Sequence, residues 1–435
     1  MPTSPKDGGS ERQRDSSAES RDRNRPIISG DWRQLRRRMS HDEAHLAAAV
    51  AGPILEHPLV CQAAPILVTS DAGMAEMIGH LAAGGSFAFD SEFIRENSYE
   101  PHLCLVQAAT SQQVYVVDPL AKLDLSPLWD LVASPEVEKI VLAGQQDFEL
   151  VALQTGRAPA NIMDLQVAAG FVDVDYPLSL GRLLDRYVGV CLDKALTFTH
   201  WDKRPLSPIQ LRYAGDDVRY LPAAREVIAA RLAELGHSEW ARQECAATLE
   251  DLSAYMPAPE TFYLRVRGRD RLHRHRLAVL RELAIVRDQA AKREDVPPRT
   301  LLKDGVLVAL ASRPAKNVAD LGNVRGLPRP VAGRYGRQIV EATARALALP
   351  DHLLPPTPPS EPSAVEARAD EAWAAISQFC LDRSLAPLVL GTRKELGRLL
   401  TAAAGGQPLE QHRFMRGWRR ELLGDLLTGL LEPAS

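Results

Sequence analysis

The chain has 435 residues, enough for two or three domains, and its 45% apolar and 25% charged content is that of a globular protein, not a disordered or fibrous one. Its formal net charge of −4 hides a segregation: residues 41–259 come to about −16 and residues 260–350 to about +10. No apolar stretch reaches the roughly 18 residues of a membrane span, no leader pattern opens the chain, and five scattered cysteines show neither zinc-site nor redox spacing, so a monomeric protein of the cytoplasm is expected.

Residues 1–45 are rich in Ser, Arg, Asp and Pro without apolar periodicity and read as a disordered tail. Residues 46–255 read as one α/β domain. After Ile66–Ser70 and a helix-like stretch to Ala83 come β-like runs at Ser86–Phe89, Leu103–Ala108 and Val114–Val117. A short helix at Ser126–Val132, a buried strand at Lys139–Ala143 and helices at Asp147–Gln154, Asp164–Phe171 and Leu180–Tyr187 follow. Ser207 and Pro208, a cap and a first-turn proline, open a helix predicted to run to about Leu235. Strands first and a strand–helix crossover next imply a mixed sheet flanked by helices.

Beyond Pro259 the pattern is all-α. Leu272–Lys292, Pro298–Ala311 and Arg334–Ala348 form a module over 260–350; a proline-rich linker, 351–363, leads to a second helical module over 364–435 of similar plan.

Four acidic residues carry the chemistry. Asp90 and Glu92, in Ser86-Phe-Ala-Phe-Asp-Ser-Glu-Phe93, lie two apart on a strand and share a face. Asp147 opens a helix, and Tyr213 and Asp217 lie four apart on another, hence on one side of it. Carboxylates converging from a strand and two helices hold a pair of divalent cations that clamp the attacking and leaving oxygens of a phosphoryl displacement. Oxygen donors select Mg²⁺ or Mn²⁺. No glycine loop for nucleotide phosphates occurs, so no nucleotide cofactor is expected.

Those segments, with Ala143-Gly-Gln-Gln-Asp-Phe-Glu149, Ile162-Met-Asp-Leu-Gln166, Leu192-Asp-Lys194, Trp201, Arg204-Pro-Leu-Ser207 and Tyr213-Ala-Gly-Asp-Asp-Val-Arg-Tyr-Leu221, resemble ribonuclease D, a DEDD exonuclease of the tyrosine subtype. The resemblance runs from about residue 66 to 431 and includes two modules like the helicase-and-ribonuclease-D C-terminal (HRDC) domain, the second marked by Gly417-Trp-Arg-Arg-Glu-Leu-Leu423. It implies a ribonuclease H-like fold and removal of nucleoside 5′-monophosphates from RNA 3′ ends, with tRNA precursors as the usual substrates. By the same resemblance Asp90 bridges two cations, Glu92 and Asp217 complete one site, Asp147 holds the second ion, and Tyr213 orients the attacking water and assists its deprotonation. Two positions depart from the family pattern: Leu142 stands where a His is common and His200 where an Asp is common.

Lys194, Trp201 and Arg204 are candidate RNA contacts, with a packed Trp and a structural ion pair as the alternative. Arg265, Arg267 and Arg269 head an arginine cluster at the start of the first helical module, suited to phosphates. Two competing readings are a DNA 3′ exonuclease in repair and a catalytically silent RNA-binding protein. The second sits poorly with four carboxylates crowded together without cations.

Overall fold

The computed structural model describes residues 52–192, 200–249, 255–356 and 363–431. The expected tail, Lys194 and residues 357–362 of the linker lie outside them.

Six strands form one mixed sheet: β1 (Ile66–Val68), β2 (Ser86–Ile94), β3 (His102–Ala109), β4 (Val114–Val117), β5 (Glu138–Val141) and β6 (Ile162–Asp164), in the order β1-β4-β3-β2-β5-β6. β3 runs antiparallel to both β2 and β4, while β1 is parallel to β4 and β5 is parallel to β2 and β6. The long central strand β2 thus has β3 beside it from Ala88 to Ile94, but β5 pairs only with Ser86–Ala88. Its far half, carrying Asp90 and Glu92, has one edge open.

Three helices, α1 (Asp71–Gly84), α2 (Ser126–Ala133) and α3 (Gln145–Thr155), cover one face, packing Met74, Met77, Leu128, Trp129 and Phe148 on Phe87, Phe89 and Val106. Burying Phe87 and Phe89 stabilises by about 2–3 kcal/mol each, which fixes the register of the residues that follow. The other face packs against α4 (Leu165–Ala169), α5 (Leu180–Val188), α6 (Pro208–Arg219), α7 (Leu221–Leu235) and α8 (Ser238–Ala247).

Three predicted elements are corrected, one of them being the helix expected over Pro298–Ala311, which is two, Pro298–Leu301 and Asp304–Ser312. The helix expected to run unbroken from Pro208 to about Leu235 is two helices, α6 and α7, meeting at Tyr220. Pro222 has no N–H and its ring clashes with the preceding turn, so it begins a new helix. The helix predicted from Asp164 begins at Leu165, because Asp164 ends β6 and caps α4 through Gln166 N at 2.9 Å. A three-residue strand has no period to read.

The first helical module, α9 (Arg274–Glu294), α10 (Pro298–Leu301), α11 (Asp304–Ser312) and α12 (Arg329–Leu347), closes around its own core of Leu280, Leu283, Leu307, Tyr335 and Ile339. The second region, α13 (Ser363–Leu381), α14 (Pro387–Leu390), α15 (Arg393–Ala404) and α16 (Gly417–Leu431), shares its core with the sheet domain: Phe414 and Trp418 join Phe171 and Leu183 in one cluster. Trp418 packs edge-on to Phe171 with ring centres 4.8 Å apart.

Candidate active site

The period of two along β2 places Ala88, Asp90 and Glu92 on the face that carries α6, opposite Ala109, Gln107 and Leu105 of β3. A bulge between Glu92 and Phe93 ends the regular register just past the pair. α6 starts with a capping box in which Ser207 and Gln210 satisfy each other's backbone N–H groups. Gly215 lets this helix lie close to the sheet: a Cβ there would stand 2.6 Å from Pro65. That close seat brings Tyr213 and Asp217 over β2.

Two acids lie side by side in the sequence here, and the helix sorts them. Asp216 accepts from Arg212 Nε at 2.6 Å and Arg219 Nε at 2.7 Å, which makes it a structural ion pair. Asp217 turns to the site, where it lines a cavity of about 210 Å³ with Asp90, Phe89, Leu142, Leu180 and Leu221.

Asp147 enters from the opposite helix layer, in the first turn of α3, where the amide dipoles favour a carboxylate. Its approach is held by Asp164, whose carboxylate accepts from Ala143 N at 2.9 Å and Gly144 N at 3.1 Å. Ala143 has φ 54°, a left-handed conformation costly for alanine, and the Asp164 bond fixes it there. Gly144 is required as well, since a Cβ would come within 2.7 Å of Phe148. At the open edge of β2, Ser91 Oγ donates to Asp147 Oδ1, and Asp147 is only 7% exposed.

The electrostatics match this convergence. Burial pushes the Asp90 carboxyl well above its usual range, and Asp147, Asp217 and Glu92 push it further. Burial, then Glu92 and Asp216, raise Asp217 in the same way. Glu92 rises to about 7 through burial and Asp147, partly offset by a hydrogen bond from Trp201. Asp147 rises to about 6 through burial, with the Ser91 bond opposing. Burial and the three carboxylates Asp217, Glu92 and Asp90 also raise the Tyr213 phenol, which stays protonated.

No arginine or lysine neutralises Asp90, Glu92, Asp147 or Asp217 among the described residues. Among those residues no three His, Cys, Asp or Glu side chains are already closed into a ligand set; the four carboxylates act on one another through space. An all-oxygen donor set with raised carboxyl pKa values fits hard divalent cations, because positive charge is what lets all four ionise together. The residues therefore suit the ions that the sequence pattern implies.

The candidate RNA contacts fall into separate places. Trp201 is 5% exposed, stacked on Tyr213 at 6.0 Å between ring centres and bonded to Glu92. Arg204 makes a two-pronged pair with Asp118, at 2.6 Å for each nitrogen, and donates to Cys104 O, Trp201 O and Lys203 O, so it clamps the Trp201 loop to the sheet. Arg265 lines a separate cleft of about 640 Å³ between the sheet domain and the first helical module, together with Arg95, Tyr99, Phe262, Lys292 and Arg299. Arg267 lies in the turn after it and Arg269 opens a short 3-10 helix, Arg269–Arg271; Arg269 Nη1 donates to Leu264 O. Leu142 sits in the cavity beside Asp90, and His200 Nδ1 is 3.8 Å from Asp202.

Ser91 and Asp164 are site residues that the pattern reading did not single out. Ser91 carries no signal, because a strict period of two points it away from Asp90. Asp164 did carry one, as an acid at a helix start.

Comparison with known proteins identifies the family and the fold. The family model of a 3′–5′ exonuclease matches residues 65–232 and that of the HRDC domain matches residues 276–343. DEDD exonucleases are metal-dependent. Ribonuclease D of Gluconacetobacter diazotrophicus is 34% identical over 365 residues, 83% of this chain and 91% of its own. Ribonuclease D of Sphingobium indicum is 34% identical over 375 residues, 84% of this chain and 95% of its own. Among solved structures, Escherichia coli RNase D shares the fold with a TM-score of 0.75 at 24% identity, over 84% of this chain and 98% of that one. A protein from Bifidobacterium adolescentis does so with 0.60 at 20% identity, over 88% and 100%. With a third of its residues shared along nearly the whole length of these relatives, the chain belongs to the ribonuclease D family of 3′–5′ exoribonucleases.

Proposed function

We propose that this exoribonuclease trims the 3′ ends of tRNA precursors in the cytoplasm, as a monomer, releasing nucleoside 5′-monophosphates, with Asp90, Glu92, Asp147, Asp217 and Tyr213 as its catalytic set. The observation that carries the reading is the burial of four carboxylates against one another with no basic partner among the described residues. Folding opposes such crowding, so the arrangement has to answer to something positively charged. Two ions, Mg²⁺ or Mn²⁺, which Asp90, Glu92, Asp147 and Asp217 would hold, would supply the charge that draws in the scissile phosphate and offsets the negative charge growing on the 3′ oxygen.

The chain's own groups do the rest. Tyr213, protonated and braced by Trp201, directs the attacking water by a hydrogen bond and assists the loss of its proton toward the carboxylates. The terminal nucleotide enters the cavity whose apolar wall is Phe89, Leu142, Leu180 and Leu221. The RNA upstream of it would run toward the cleft lined by Arg265, and Arg267 and Arg269, further along the chain, would add phosphate contacts. Trp201 and Arg204 hold the segment beside Tyr213 in place, and Lys194, outside the described residues, is the remaining candidate RNA contact. The domain limits that go with this are 46–255 for the exonuclease, 260–350 for the first HRDC-like module, 351–363 for the linker and 364–435 for a second module of the same kind.

The test uses 3′- and 5′-labelled tRNA precursor and matched DNA, with Mg²⁺ or with chelator. Stepwise release of 5′-monophosphates from the RNA 3′ end, stopped by chelator, is expected. Faster degradation of the DNA would favour the repair reading, and degradation unaffected by chelator would sink the metal mechanism.

A further inference from the structure

Gln107 is fully buried on β3, and among the described residues neither its amide nitrogen nor its amide oxygen has a hydrogen-bond partner. Buried side-chain amides are almost always paired, so one orphaned at both ends calls for an explanation. Its position supplies one. Gln107 is the cross-strand partner of Asp90. Directly opposed residues on antiparallel strands point to the same face with Cβ atoms about 4.5–5.5 Å apart. On its other side Gln107 pairs with Val116 of β4, and the helix lying over this part of the sheet is α6, which carries Tyr213 and Asp217. Its other neighbours on that face are apolar: Leu105, Val116 and Ala214 belong to one small cluster and Ala109 borders it. An apolar residue of the same volume would fill the place with no orphaned atoms, so packing alone does not account for a glutamine.

We propose that Gln107 is a positioning residue for Asp90: its Nε2 donates to the Asp90 carboxylate when that group turns to hold a cation, fixing which oxygen faces the ion. An Asp that bridges two ions must present its oxygens in one orientation, and a neutral donor behind it achieves this without cancelling its charge, as an arginine would. Groups that orient metal-binding carboxylates in this way typically change metal affinity or activity by about 10- to 100-fold when removed. Oε1 is left for an internal water.

The inference rests on the reading of Asp90 as a cation ligand, and the experiment separates the two. Mn²⁺ is titrated calorimetrically into the full-length, metal-free wild type, Gln107→Met and Asp90→Asn, without RNA, and thermal unfolding of each is followed in chelator. Methionine matches glutamine in volume and lacks the amide, so Gln107→Met should melt at or above the wild-type temperature, since replacing an unpaired polar group by an apolar one is neutral or stabilising. Its Mn²⁺ affinity should nevertheless fall about 10- to 100-fold, with KM for RNA unchanged and kcat reduced at limiting Mn²⁺. As a measurement that needs no stable variant, the side-chain amide resonance of Gln107 in the wild type should shift as Mg²⁺ is added. An unchanged Mn²⁺ isotherm for Gln107→Met, or an amide resonance indifferent to Mg²⁺, would overturn the inference. A wild type that binds no Mn²⁺ would instead remove the reading of Asp90 on which it rests.

Discussion

Two regions of this molecule bury acids, and they do it in opposite ways. At the seam between α8 and α16, Glu244 accepts from Arg419 at 2.6 and 2.7 Å, from Arg413 at 2.7 Å and from the Trp418 indole at 3.0 Å, and its carboxyl is held below the usual range. At the end of β2, four acids face one another and their carboxyl groups are pushed up. A buried acid matched with arginine fastens elements together, whereas buried acids matched only with each other remain available to bind something. The adjacent residues Asp216 and Asp217 show the same division within one helical turn.

Removing one member of each group should separate the two kinds most sharply. Asp90→Asn should lower turnover by about 10³-fold or more, comparable to or beyond the loss of a transition-state donor, while the chelated protein melts no lower than wild type because one repulsion is gone. Single-turnover RNA degradation and calorimetry in chelator would check both halves. Glu244→Ala should do the reverse. Stranding the Arg419 guanidinium should cost about 3 kcal/mol of stability, read by denaturant unfolding, with the per-molecule rate of the folded fraction nearly intact.

The pH dependence should carry opposite signs in the two regions. In chelator, the folded protein keeps protons on Asp147 up to about 6 and on Glu92 up to about 7, where the unfolded chain has lost them near 4. The native state then binds more protons, and stability should fall by about 2 kcal/mol or more as pH rises from about 4 to 8. Saturating Mg²⁺ should abolish that fall. Glu244 contributes the opposite slope: its stabilisation is complete above the ordinary glutamate range and is lost as pH drops through its depressed value. Unfolding curves across pH, with and without Mg²⁺, would expose a mistaken pairing in either region.

The smallest effect belongs to the first helical module, against whose core Tyr99 of the sheet domain packs while making polar contacts with it. Tyr99 Oη donates to Asp288 at 2.9 Å and Tyr99 N to Asp295 at 3.1 Å. Tyr99→Phe should therefore cost about 1 kcal/mol or less in global stability and appear as a weakened salt dependence of RNA affinity. A loss as large as that of Glu244→Ala would mean that the two modules are fixed equally firmly.

Much of the site was legible in the sequence because its signals are periodic. A spacing of two on a strand and four on a helix fixes which side chains share a face, so Asp90 with Glu92 and Tyr213 with Asp217 followed directly. The mixed sheet flanked by helices followed from the order of apolar runs. Boundaries were less legible where an element is three residues long, as β6 is, or where one proline divides a helical pattern, as Pro222 does. Only the tertiary structure decided that Ser91 holds Asp147, that Arg204 clamps the Trp201 loop, that Gln107 lies opposite Asp90 unpaired among the described residues, and that the second helical region shares the core of the sheet domain while the first keeps its own. Those relations join residues tens to hundreds of positions apart, and periodicity, which is a property of neighbours along the chain, carries no information about which distant surfaces will meet.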